Sequence, residues 1–173
     1  MTSIGEAAPK FTLPDTEGGM HELDAAPATA VVFTCNHCPY ALAWHDRILD
    51  VASDYADRGV RVLLVNPNDA ERYPADSYEA MKERVAADGG WSAPYLRDES
   101  QEVARAYDAQ TTPDVFVLDS DLRLCYRGAP DADHGDPSLR ADWLREALDA
   151  VLAGEDPPRA ETKPVGCSVK WKS

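Results

Sequence analysis

A chain of 173 residues with 44% hydrophobic side chains has the material for one compact α/β domain whose core holds without cross-links. Its net charge of -14 excludes partners that are themselves polyanions, nucleic acid and anionic membrane surfaces alike. Twenty of the 31 acidic residues are Asp and five of the 17 basic ones are Lys, a balance similar to that of halophile-like acidic proteins, in which high salt screens self-repulsion.

Phe11 to Leu13 and Met20 to Leu23 read as two short strands around the turn residues Asp15 to Gly19, giving an N-terminal β-hairpin. Ala28 to Thr34 is an apolar, β-branched run of the length of a buried strand, and it ends on Cys35. Leu42, Ile48, Leu49, Ala52, Tyr55 and Ala56 then recur at helical spacing until Asp57-Arg58-Gly59, and Val60 to Asn66 is a second buried strand. Strand, helix, strand in this order predicts a parallel pair, with Cys35 and Cys38 at the helix N-terminus above the carboxyl end of the first strand.

Residues 67 to 96 form a mid-chain insertion holding a polar loop, a helix over Ser77 to Ala87 and a short extended piece from Pro94 to Leu96. A helix over Gln101 to Tyr107 follows, then a hairpin of Val115 to Leu118 with Leu122 to Tyr126. Leu144, Leu148, Val151 and Leu152 make the apolar stripe of a last helix that covers one sheet face. Pro157, Pro158 and Pro164 forbid more helix, so residues 1–154 form the domain and 155–173 an extended tail. From Glu161 onward the tail carries three Lys and one Glu, a contrast with the acidic body that predicts it folds back across it.

Met1 to Met20 hold no basic start followed by an apolar run, and nowhere do eighteen apolar residues occur in succession, so a cytoplasmic location is expected. In a reducing compartment a close Cys pair is catalytic or metal-binding sooner than a permanent staple. Cysteine attacks a disulfide as thiolate, and a helix N-terminus stabilises an anion. The spacing therefore assigns Cys35 as nucleophile and Cys38, one turn on, as the thiol that resolves the mixed disulfide. His37, with Asn36 and Thr34, tunes the pair, and a stabilised thiolate places its potential above the thioredoxin end of the range of roughly -270 to -120 mV. No cofactor beyond the redox-active disulfide is required. A peroxidase using Cys35, resolved by Cys38 or Cys167, and a copper or zinc carrier using Cys35, Cys38 and His37 or Cys167 are the alternatives.

The opening Ile4-Gly5-Glu6-Ala7-Ala8-Pro9-Lys10-Phe11-Thr12-Leu13 with Asp15 and Gly18 resembles the alkyl hydroperoxide reductase and thiol-specific antioxidant (AhpC/TSA, peroxiredoxin-like, redoxin) branch of the thioredoxin superfamily. Thr34-Cys35-Asn36-His37-Cys38-Pro39-Tyr40, Asn66-Pro67-Asn68-Asp69 and Gly166 to Lys172 are similar to a peroxiredoxin-like subgroup with a thioredoxin-style CxxC. The resemblance implies a thioredoxin fold, a central mixed sheet flanked by helices. It also implies a cis Pro113, with the backbone of Thr112 presented to an extended substrate segment beside Cys35. The partners it implies are a disulfide-bearing protein, a small thiol or a peroxide, together with a reductant system.

Two departures matter. Peroxiredoxins place Pro seven and Thr three positions before the peroxidatic Cys, whereas Ala28 and Val32 precede Cys35, and Val31 and Cys35 precede Cys38. Thioredoxin's buried carboxylate six residues before its first Cys is here Thr29, which leaves the proton acceptor of the resolving thiol unassigned. Cys167 is a candidate third thiol if the tail reaches the pair. Cys125 reads as buried packing, His21, His45 and His134 as structural or solvated, and Trp91 and Tyr95 as core anchors or groove lining.

Overall fold

The computed structural model describes residues 2–173. A short hairpin, β1 (Thr12–Pro14) with β2 (Met20–Glu22), precedes β3 (Ala28–Phe33), α1 (Pro39–Tyr55) and β4 (Val60–Asn66). The insertion supplies α2 (Tyr78–Ala87) and β5 (Tyr95–Arg97), followed by α3 (Glu102–Tyr107) and β6 (Thr111–Thr112). The chain closes with β7 (Asp114–Leu118), β8 (Leu124–Gly128), α4 (Asp142–Leu152) and β9 (Cys167–Ser168).

Five strands form one mixed sheet in the order β5-β4-β3-β7-β8. β3 pairs parallel with β4, and β4 with β5, while β7 runs antiparallel to both β3 and β8. The period of two along β3 splits its side chains between faces. Ala28, Ala30 and Val32 pack under α1, α2 and α4 with Trp44, Ile48, Val51, Met81, Leu144 and Leu148. Val31 and Phe33 face the other way, onto the hairpin's Phe11 and Leu13 and onto Ala104 and Tyr107 of α3. Phe33, Tyr107 and Phe116 meet edge-on there, with ring centroids 5.4 to 5.7 Å apart, the arrangement aromatic quadrupoles favour.

Some boundaries differ from the sequence expectation for local reasons. The side chain of Asp119 accepts the amides of Asp121 and Arg123, and Leu122 adopts φ 59, so the turn runs on and β8 starts at Leu124 rather than Leu122. Cys125 is half-buried, not buried, because it falls at a bulge: Tyr126 pairs with Val117 and Leu124 with Leu118, packing into the cores on opposite faces, and Cys125 is left without a partner. The tail does fold back, held mainly by its main chain: the Arg127 amide donates to the Ala160 carbonyl, the Thr162 amide to the Arg127 carbonyl and the Val169 amide to the Gln110 carbonyl, with Arg159 paired to Glu146. Among the described residues no helix is long and apolar enough to cross a membrane.

Candidate active site

The first strand and its parallel neighbour both end at the same edge, where the Thr34 amide donates to the Val65 carbonyl and carries the chain on to Cys35. Proline lacks an N–H and is suited to the first helical position, and Pro39 takes that position here. The cap of the 17-residue α1 is therefore Cys38, and Cys35 lies three residues ahead of it in extended chain. This corrects the expectation that both sulfurs share the helix end: the positive end of the dipole acts on Cys38.

The two sulfurs are in contact and almost sealed, with residue exposures of 1% and 0%. Cys35 shares a hydrogen bond of 3.3 Å with Thr112 Oγ1, and the Cys38 S–H lies 3.2 Å from the Thr112 carbonyl. Each sulfur shifts the other's ionisation: contact with Cys35 pulls Cys38 down, helped by the side chain of Cys167 and by the Ala41 amide of the first helical turn, while burial opposes. No bond of full capping geometry is made by that turn, so the helix acts on the sulfur at longer range. Contact with Cys38, and its own burial, push Cys35 up.

Beneath the Cys-x-x-Cys segment lies a carboxylate that sequence reading missed. Asp76 is fully buried, and its oxygens accept from the Asn36 amide (2.6 Å), Asn66 Nδ2 (3.2 Å) and Asn68 Nδ2 (3.0 Å). His37 Nδ1 lies 2.5 Å from Oδ2 of the same carboxylate, an ion-pair distance without a well-directed hydrogen bond, and the imidazole is stacked on Tyr73. The Cys35 sulfur, an imidazole nitrogen and an Asp76 oxygen all fall within 4.8 Å of one another. The insertion thus delivers to Cys35 the buried carboxylate that Thr29 does not supply. The sequence signal was the Asn66-Pro67-Asn68 turn, whose amides have to be aimed at something.

Asn36 is the clamp of this segment. Its amide group donates to the Ala75 carbonyl (2.8 Å), and its oxygen accepts from Arg84 (2.8 Å) and from the Tyr95 hydroxyl (2.7 Å). Tyr95 is buried and Trp91 packs on it, on His45 and on the Arg84 guanidinium, so both aromatics brace the site from below. The 3%-exposed Arg97 donates to the carbonyls of Asn66, Asn68 and Asp76, fixing the floor. His21 pairs with Asp15, and His134 lies tilted against Tyr40, which itself packs on the two cysteines.

The Thr112-Pro113 peptide is cis, as the resemblance implies. The edge of Thr112, however, is not free for a substrate. The tail occupies it: β9 pairs antiparallel with β6, setting Cys167 opposite Thr112. Gly166 packs so closely that a Cβ there would meet the Thr112 carbonyl at 2.3 Å. Cys167 is half-buried against Cys35, Cys38 and Ala41. Burial and the neighbouring Cys38 push its thiol up to about 11.

The pattern of the AhpC/TSA family matches residues 4–127. A protein of Geobacillus kaustophilus, described only as an uncharacterized conserved protein, is 40% identical with a TM-score of 0.93, the match covering 99% of this chain and 94% of that one. A hypothetical protein of Sinorhizobium meliloti is 37% identical with a TM-score of 0.92, over 100% of this chain and 97% of its own. The pneumococcal exposed lipoprotein thioredoxin of Streptococcus pneumoniae is 18% identical with a TM-score of 0.65, over 82% and 98%, and shares the fold. A comparison with curated proteins finds no match.

Proposed function

The chain belongs to the AhpC/TSA family, has a thioredoxin fold, and, we propose, exchanges its Cys35–Cys38 dithiol with disulfides of a protein or small-molecule partner. The observation that carries this reading is the burial in contact of two free thiols, both on Thr112 and one of them at a helix cap. Cys35 gives its proton to the His37–Asp76 pair and attacks a disulfide sulfur as thiolate, forming a mixed disulfide and releasing the first half as thiolate. Cys38 then loses its proton and attacks Cys35 Sγ. The second half leaves as thiolate and the Cys35–Cys38 bond closes. A reductant dithiol reverses the sequence.

The pocket under Cys35 supports that proton path. Neutralising the carboxylate beside the imidazole removes the group able to hold the proton while Cys35 attacks. The trio of Cys35, His37 and Asp76 could also hold a metal ion, and this is the support for a carrier. Asp76 already accepts three N–H groups and touches the imidazole, so a cation would have to displace them, which favours exchange.

Reduction of a model protein disulfide by dithiol is the test. Loss of turnover by at least ~10²-fold in both Cys35→Ser and Cys38→Ser is expected, since each removes one bond of the two-step cycle. Undiminished turnover in either variant refutes the reading. Consumption of peroxide instead would favour the peroxidase, and stoichiometric metal in the purified protein the carrier.

A further inference from the structure

A third sulfur stands beside the pair: Cys167 packs against Cys35, Cys38 and Ala41. The β6–β9 register sets Cys167 across from Thr112, the residue whose carbonyl lies 3.2 Å from Cys38 Sγ. The absence of a side chain at Gly166 lets the tail lie directly on that carbonyl. On both sides of this point the tail is anchored. The Lys170 amide donates to Asn68 Oδ1 (2.9 Å), the Lys172 amide to Gln101 Oε1 (2.9 Å), and Arg72 donates to the Trp171 carbonyl (2.7 Å). Upstream, Thr162 bonds Tyr126 and the Ala129 amide. The strand seated in the groove where a substrate segment would pair therefore belongs to the protein itself, and it carries a cysteine.

We propose that Cys38 is shared between two alternative disulfides, one with Cys35 and one with Cys167, the tail acting as a tethered exchange partner. The step rests on the dithiol reading above and needs no further oxidant. The Cys167 thiol loses its proton and attacks Cys38 Sγ of the Cys35–Cys38 disulfide. The Cys35–Cys38 bond breaks, Cys35 leaves as thiolate and takes up the proton, and the Cys38–Cys167 bond forms. Two thiols' worth of oxidation is conserved, moved from the loop to the tail. Register and anchoring keep Cys167 at high effective concentration, so this intramolecular attack outruns that of a free thiol.

The test uses full-length protein with Cys125→Ser throughout, reacted with one equivalent of dipyridyl disulfide, quenched in acid, alkylated, digested and mapped by mass spectrometry. With Cys35→Ser added, the expected result is release of two equivalents of pyridinethione and a cross-link between the peptides carrying Cys38 and Cys167. Reagent left on Cys38, with one equivalent released, overturns the proposal. With Cys167→Ser instead, closure of Cys35–Cys38 is expected, and its failure would refute the dithiol reading, not the tail's role alone. In the Cys35→Ser background, Gly166→Ala lifts the strap and is expected to slow the cross-link about ten-fold. Closure at the unchanged rate would overturn the seating of Cys167 on Thr112.

Discussion

Two thiols buried in contact do not ionise independently although they sit three residues apart. Their coupling lowers the first ionisation of the Cys35–Cys38 pair and raises the second. A low-pKa thiolate favours the dithiol over the disulfide, which supports a pair more oxidising than thioredoxin. Thiolate ultraviolet absorbance followed against pH is expected to show a first midpoint below the ordinary thiol range, moved upward in both Cys38→Ser and Cys35→Ala, where the coupling is gone. A midpoint in the ordinary thiol range that neither substitution moves would rule out the coupling. The identity of the cap was legible in the residues themselves: Pro39 fits the first helical position and so makes its predecessor the cap. Asp76 was not, since nothing in its own neighbourhood distinguishes it from nineteen other Asp residues. Its role comes from Asn36, Asn66 and Asn68 converging on it across 8 to 40 positions of sequence.

At the level of elements, α1 must hold Cys38 in place, and a second buried carboxylate fastens that helix. Asp131 is 1% exposed and accepts from Trp44 Nε1 (2.8 Å), the Arg47 guanidinium (3.0 Å) and the Ala141 amide (2.9 Å), joining α1 to the loop that leads into α4. Removing it leaves a buried indole N–H without an acceptor and a guanidinium, still held by the carbonyls of Asp133, His134 and Asp136, without its counter-charge. Asp131→Ala is expected to cost roughly 3–5 kcal/mol in urea denaturation with the slope unchanged, and a loss below 1 kcal/mol would show that water replaces the carboxylate. β3, β4, α1 and α4 were readable because each is long enough for its apolar period to repeat. The two-residue β6 and β9 were not, because two residues carry no period and exist as strands only by pairing with each other.

Over the whole molecule, two buried titratable groups act against each other in acid. His45 lies against Trp91 with Nε2 unpartnered, and burial lowers it from 6.5 to about 4. Between those values the unfolded chain binds a proton that the folded one refuses, so His45 removes stability as pH falls. Asp114 has an unpartnered Oδ1, and burial raises it from 3.8 to about 7. Its folded form keeps a proton that the unfolded chain releases, so the stability it contributes in acid is lost as pH rises from 3.8 to 7. Each effect is about 3 to 4 kcal/mol at full extent, and they nearly cancel between pH 4.5 and 6.5. Across that window, relative to the wild type, stability is expected to change in the weakening direction with rising pH in His45→Leu, and in the strengthening direction in Asp114→Asn. Parallel curves for all three would refute the opposition.

The amino-acid sequence by itself determined the βαβ frame, the hairpins and the edge at which Cys35 and Cys38 emerge. Those features are written in local periodicity, in breakers and in a proline that can take only certain positions. Only the tertiary structure decided which carboxylate lies beneath Cys35 and what fills the Thr112 edge. A buried carboxylate depends on donors converging from segments remote in sequence, and a strand edge is free or covered according to where the rest of the chain goes.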